Sequence, residues 1–391
     1  MSQIVSRKYL LPFILVASLF FCWGFAHSIL DILNKHFQDL LQISKADSAN
    51  IQLVLYGGYF IMAIPAGMII RRWGYKAGVL TGLLLYGLGA LLFVPGERMM
   101  SFHFFLLCLF IIGCGLTCLE TAANPYVTVL GDAETATSRL NLAQSLNGLG
   151  WIVGPLVGGL IVFGDDGSVA LPYAVIGVAV LVIAAVFSQM KLPEIVEETT
   201  TQTQGQARLM GSTAFVFGLV ALFCYVAAQT GVNSFFVNYA TEVSAISNTH
   251  ISNTQAALLL SFGGMGLFLV GRLLGSWIMK YVRAGRLLLL CAVGATLCMV
   301  FVIYGGIIGL VALILTYLFE SIMFPTIFAM ALQGLNSFAT KRGSSYLIMM
   351  IVGGAIAPKA MGYLGETNMA IGFIIPLVCY LVIGAYAKRI G

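Results

Sequence analysis

Charge is what this chain has least of. Only 9% of its 391 residues are Asp, Glu, Lys or Arg, while 60% are hydrophobic. Soluble domains carry roughly 25% charged residues, so the two soluble domains that length alone suggests are excluded. Other features are missing too. The eight cysteines (22, 108, 114, 118, 224, 291, 298 and 379) all sit in apolar runs, and no CxxC pair occurs; they read as small packing residues, with neither disulfides nor zinc implied. His27, His36, His103 and His250 show no metal-ligand spacing. There is no P-loop, so nothing here is driven by ATP, and no nucleophile–base pair suggests an enzyme. No span holds the paired arginines that an anionic substrate would need. A formal net charge of +5 is too small to point to nucleic acid.

Long apolar runs are what remain. A membrane-crossing helix takes about 20 mostly apolar residues. Twelve such windows are present, at 9–33, 48–70, 76–95, 101–130, 138–163, 169–190, 212–241, 252–281, 284–304, 306–333, 341–365 and 368–388. The 44 glycines suit close-packed membrane helices. The first run is too long for a signal-peptide core and reads as a retained helix. The longest polar stretch, Lys191 to Arg208, is rich in Glu, Thr and Gln and reads as a linker. The expected organisation is therefore a six-helix bundle at 1–190, a cytoplasmic linker at 191–211 and a second six-helix bundle at 212–391. With the N-terminus placed in the cytoplasm, sixteen of the 20 Lys and Arg residues fall on that side. Only Lys35, Lys45, Arg98 and the ambiguous Lys359 fall on the other. This positive-inside bias puts both termini in the cytoplasm.

The halves echo each other. Glu120-Thr-Ala-Ala-Asn-Pro125 is matched by Glu320-Ser-Ile-Met-Phe-Pro325 at an offset of 200 residues. Arg139 precedes Pro155 by 16 residues, as Arg342 precedes Pro358. Each pair falls in the same helix of its half, the pattern of a transporter built from repeats with a midplane site between them. A basic loop, Gly67, Arg71, Arg72, Gly74 and Lys76, follows the second span. It reads either as a positive-inside anchor or as a cytoplasmic latch.

Three acids lie inside spans: Asp31, Glu120 and Glu320. An ionised acid at the bilayer centre costs about 2.5–3.5 kcal/mol, and burial favours the protonated form. Such a group is a candidate proton carrier. Amides share faces with it: Asn124 lies four residues after Glu120, and Asn141, Gln144 and Asn147 form a stripe on the fifth helix. Gln229 and Asn233 lie with Tyr225 on the seventh. Amides both donate and accept, which suits a neutral polyol, and Tyr225 and Trp151 could cover the apolar face of a sugar ring. His27 is a further candidate for the cavity. Each amide could equally serve as a helix–helix hydrogen bond.

The stretches FFCWGFAHSILDIL (20–33), LETAANPYVTVLG (119–131), RLNLAQSLNGLG (139–150), FCYVAAQTG (223–231) and GSSYLIMMIVGGAIAP (343–358), among others, cover most of the chain. In them the sequence resembles the fucose–galactose–glucose:proton symporters of the major facilitator superfamily. The resemblance implies an all-α integral membrane protein of twelve transmembrane helices in two six-helix pseudo-repeats. It implies proton-coupled sugar uptake across the bacterial inner membrane by a functional monomer, with protons as coupling ion and no other cofactor. It assigns proton coupling to Asp31 and Glu120 and sugar contact to Asn124, Asn141, Gln144, Gln229 and Tyr225; His27, Asn147, Asn233 and Glu320 complete the candidate cavity. Two departures from the family pattern, His27-Ser28-Ile29-Leu30 ahead of Asp31 and Glu320 itself, fall where a sugar would be read. The sugar stays open among hexose, 6-deoxyhexose and N-acetylhexosamine. Proton-driven efflux and uncoupled facilitation are the alternatives.

Overall fold

The structure, a computed structural model, describes residues 10–129, 136–164, 168–190, 211–279, 281–333, 343 and 346–390. The described residues are almost entirely helical. Eleven helices are long and apolar enough to cross a membrane, and a shorter apolar helix at Leu146–Val162 occupies the place of a twelfth. In chain order the spans are α1 (Leu10–Leu41), α2 (Lys45–Ile70), α3 (Arg72–Met99), α4 (Phe102–Val129), α5 (Ala136–Val157) and α6 (Ala170–Gln189). Then come α7 (Thr213–Ile246), α8 (Asn253–Leu258 continuing to Gly266–Ile278), α9 (Ala284–Tyr304), α10 (Ile307–Leu332), α11 (Tyr346–Leu364) and α12 (Met369–Ile390).

Local signals explain several boundaries. The Ser44 side chain caps the start of α2 by accepting from the Asp47 N–H. Gly74, at φ 81°, supplies a left-handed kink in the first turn of α3, a conformation that other residues rarely adopt. Ser252 and Gln255 form a capping box at α8. Both ends of α6 are satisfied by charged side chains of the sign the helix dipole favours. At its N-terminus Glu97 accepts from the Val169 and Ala170 N–H groups at 2.8 and 3.2 Å. At its C-terminus Lys76 donates to the Ser188 and Met190 carbonyls at 2.7 and 2.8 Å. The basic loop after α2 thereby has a structural role, because its Lys76 closes α6. Arg72 lies over the Trp73 ring, and the Arg71 side chain lies outside the described residues.

By compactness the chain forms two units, Met1–Leu33 with Val54–Thr200 and Asn34–Leu53 with Thr201–Gly391. The expected linker, apart from Gly211, lies outside the described residues. In the first unit α1 and α5 approach at glycines. A Cβ on Gly150 would lie 2.4 Å from the Phe21 carbonyl oxygen, and one on Gly24 would lie 2.3 Å from that of Asn147. Small residues let membrane helices meet backbone to backbone. Phe93 stacks on Tyr173 with centroids 3.8 Å apart, and the Tyr86 hydroxyl donates to the Cys22 carbonyl at 2.9 Å. The buried tyrosine hydroxyl thus finds a partner, as burial requires.

The second unit includes the last quarter of α1, from Asn34 to Leu41. Asn34 Nδ2 donates to the Ser234 carbonyl at 2.6 Å, and Asn238 Nδ2 donates to Gln38 Oε1 at 2.5 Å. Lys45 pairs with Glu242 at 2.6 Å and also donates to the Gly365 and Glu366 carbonyls. Asn253 reaches Asp39 at 2.8 Å. Large apolar side chains such as Ile64, Val175, Leu273 and Leu290 are exposed. An all-round apolar exterior of this kind belongs in lipid, where burial from water is supplied by the bilayer.

Candidate functional site

Glu120 sits half-buried on α4 in the first unit. It helps line a shallow, half-open recess with Leu119, Ala123 and, from α1, Leu19, Phe20 and Trp23. A carboxyl among apolar walls needs a partner, and α2 supplies one. Tyr59 is a hydrogen-bond partner of Glu120. The same hydroxyl accepts from the Trp23 indole N–H at 2.8 Å and lies 2.9 Å from His27 Nε2. Trp23 and His27 are four residues apart on α1 and so share a face. Around His27 pack Trp23, Tyr56, Tyr59 and Trp151, with ring centroids 5.6–6.0 Å away.

One hydroxyl thus serves three polar neighbours. A tyrosine has one proton to give and two lone pairs to offer. Trp23 takes one lone pair permanently, because an indole nitrogen only donates. Two arrangements satisfy the rest. When Glu120 is protonated, it donates to Tyr59, and Tyr59 donates to an unprotonated His27 Nε2. When Glu120 is ionised, Tyr59 donates to the carboxylate, and His27 turns Nε2–H toward the tyrosine oxygen. The charge state of Glu120 and the tautomer of His27 are therefore linked through one atom.

Asp31 lies one further turn along α1, only 2% exposed, in the electrostatic neighbourhood of Tyr173. It does not line the recess. Asn147 donates Nδ2 to the Phe20 carbonyl at 3.1 Å, so this amide ties α5 to α1 behind a recess residue. Asn124, Asn141 and Gln144 have side chains outside the described residues.

In the second unit Tyr225 is buried against Phe324, at a ring separation of 5.9 Å. Gln229 is half-buried. Asn233 is 2% exposed and its Oδ1 has no hydrogen-bond partner among the described residues. Glu320 is fully buried and accepts a hydrogen bond from the Tyr380 hydroxyl. No three His, Cys, Asp or Glu side chains among the described residues are grouped to hold a metal ion.

Tyr59, Trp23 and Tyr380 are members of these polar clusters that sequence reasoning misses. Each stands in an apolar run with its partner tens of residues away, so no local period marks it. The available signal is chemical. A tyrosine or tryptophan deep in a span needs somewhere to send its O–H or N–H, and the buried acids and His27 are the candidates to receive it.

Comparison with known proteins fits this arrangement. The sequence profile described as Major Facilitator Superfamily matches residues 13–358. The chain belongs to the major facilitator superfamily. It is 35% identical over 418 residues to the L-fucose-proton symporter of Escherichia coli strain K12, covering 98% of this chain and 94% of that one. To a glucose/galactose transporter of Brucella abortus it is 36% identical, over 94% and 91% of the two chains. Among solved structures it is similar to the crystal structure of the E. coli fucose:proton symporter, with TM-score 0.70 and 35% identity, covering 98% and 100% of the chains. The D-xylose-proton symporter, at TM-score 0.76 but 14% identity, shares the fold. This superfamily member is thus a multi-pass membrane transporter rather than an enzyme, built as the all-helical twelve-span fold that its sequence implied.

Proposed function

We propose that the chain imports a neutral sugar (a hexose, 6-deoxyhexose or N-acetylhexosamine) together with protons across the bacterial inner membrane, as a monomer with both termini cytoplasmic. Protons are the coupling ion and no other cofactor takes part. The observation that carries this reading is the Tyr59 hydroxyl shared between Glu120, His27 and Trp23 at the edge of a recess. Similarity to proton symporters of L-fucose and to glucose/galactose transporters supports the sugar class.

Glu120 is the carrier in this mechanism. Protonation removes its charge and reverses the Tyr59 hydrogen bond, so that Tyr59 donates to His27 Nε2. Sugar bound beside the recess by Trp23, His27 and the first-unit amides Asn124, Asn141 and Gln144 is carried by alternating access, the mode of repeat-built transporters. Proton loss from Glu120 on the cytoplasmic side turns Tyr59 back toward the carboxylate. Asp31, a turn away from His27, tunes the release. At a membrane potential of 100 mV each charge contributes about 2.3 kcal/mol, roughly fifty-fold accumulation.

The test is sugar addition to energised membrane vesicles with a pH electrode outside. Alkalinisation on adding the transported sugar supports the reading. Uptake without proton movement makes this an uncoupled facilitator, and acid-driven extrusion of a non-sugar makes it an exporter.

A further inference from the structure

The two acids that the internal repeat relates, Glu120 and Glu320, stand in different surroundings. Glu120 borders a recess, whereas Glu320 is 0% exposed. The helix that carries Glu320 is broken beside it. The first part of α10 ends at Glu320, a turn covers 321–322, and the helix resumes at Met323. Pro325 explains the break: it has no N–H to give to the carbonyl of Ser321, four residues earlier. Arg272 of α8 meets that freed carbonyl, donating Nε–H to the Ser321 oxygen at 3.3 Å. Interrupted membrane helices are where many repeat-built transporters place their substrate and coupling-ion sites.

At the break Glu320 Oε1 accepts from Tyr380 of α12, and Oε2 has no hydrogen-bond partner among the described residues. An ionised carboxylate with one oxygen unmet and no water contact would be strongly disfavoured in such a place, whereas a protonated carboxyl is tolerated. The other titratable or charged groups around it are Tyr225 of α7, near both Tyr380 and Arg272, and Tyr317 one turn earlier on α10. Cys224 and Cys379, side by side on α7 and α12, and the guanidinium of Arg272, on the Ser321 carbonyl, are the remaining such groups among the described residues.

We propose that Glu320 and Tyr380 form a second proton-binding site, within the second unit, loaded and occluded in this structure. The proton resides on Glu320 Oε2, Tyr380 holds Oε1, and the break at 321–322 is the hinge whose movement opens the carboxyl to water. No redox step or further ligand is involved: the proton comes from one aqueous side and leaves to the other. The proposal rests on the symport reading in so far as it predicts two protons per sugar.

Infrared difference spectroscopy of purified protein tests occupancy without any transport. At neutral pH a protonated-carboxyl C=O band is expected that disappears in Glu320→Gln and persists in Glu120→Gln. Tyr380→Phe should shift that band upward, because the carbonyl loses its donor; this keeps the test alive if Glu320→Gln does not fold. A band unaffected by both substitutions overturns the site. Stoichiometry is read from the sugar ratio at which net flux reverses under an imposed 50 mV potential. About fifty-fold is expected for the wild type and about seven-fold for Glu320→Gln, since each proton contributes about 1.15 kcal/mol at that potential. Equal ratios in the two proteins would refute exchange at Glu320. Absence of any sugar-linked proton movement in the wild type would instead count against the symport reading, leaving the infrared result to stand or fall alone.

Discussion

Tyr59→Phe removes one oxygen and leaves the ring in place, which makes it a sharp probe of the relay. In the wild type that oxygen is 2.8 Å from the Trp23 nitrogen and 2.9 Å from His27 Nε2, and it bonds Glu120. Three consequences follow from its loss. His27, 8% exposed, keeps an unmet nitrogen, at a cost of about 1–3 kcal/mol for a buried polar group. Trp23 is half-buried and recovers part of its loss from water, so about 1 kcal/mol is expected there. The third effect falls on the proton. A hydrogen bond to a charged group contributes about 1.5–3 kcal/mol and one to a neutral group about 0.5–1.5. Ionised Glu120 therefore loses about 1–1.5 kcal/mol more than protonated Glu120 does. That difference makes release of the proton roughly five- to tenfold less favourable, at 1.36 kcal/mol per factor of ten. The substituted protein should melt several degrees lower in detergent. Sugar accumulation driven by a proton gradient should fall by a similar five- to tenfold, and the pH for half-maximal release should move upward by up to about one unit. Counterflow, which needs no net proton release, should persist. Accumulation equal to the wild type across the pH range would refute the shared-hydroxyl mechanism.

Glu120→Gln should abolish accumulation against a gradient while sparing equilibrative exchange, as measured by radiolabelled sugar counterflow; loss of exchange as well would place Glu120 in sugar binding instead. Gly150→Ala puts a methyl group 2.4 Å from the Phe21 carbonyl oxygen. The obstacle is backbone that cannot swing aside, so a destabilisation of about 1–3 kcal/mol is expected, visible as a lower melting temperature. Lys45→Met removes the 2.6 Å pair with Glu242 and the bonds to the carbonyls of Gly365 and Glu366. Amide exchange in the segment Asn34–Leu53 should quicken, because each charged hydrogen bond removed contributes about 1.5–3 kcal/mol; unchanged exchange there would show that the other contacts alone secure the segment.

How much could be read before any coordinates depends on which interactions are local. The span count was legible because hydropathy is a property of consecutive residues, and the windows agree with the helices to within a few residues at most ends. The exception is α1, which runs on to Leu41, well past the window closing at residue 33. Polar residues such as Asn34, Gln38 and Asp39 end an apolar run, yet they continue the helix because Ser234, Asn238 and Asn253 satisfy them. The amide stripes were legible as faces but not as roles. Asn147, read as a sugar contact or a helix tie, makes a bond to the Phe20 carbonyl, which only the approach of α5 to α1 could reveal.

Composition and pattern by themselves determined that this chain lives in lipid, spans it about twelve times and repeats itself, and short strings carried its resemblance to sugar–proton symporters. Those facts follow from apolar run length, from where lysine and arginine fall, and from short strings such as ETAANP. Tertiary structure decided what the repeat could not. Glu120 and Glu320 are written in matching contexts, yet one borders a recess with Tyr59 and the other is sealed against Tyr380. It also decided that Asn34–Leu53, in the first half of the chain, packs with the second unit. The reason is the same in each case. The proton-binding character of a carboxyl is set by which side chains converge on it from other helices, and convergence across tens or hundreds of residues leaves no local period to read.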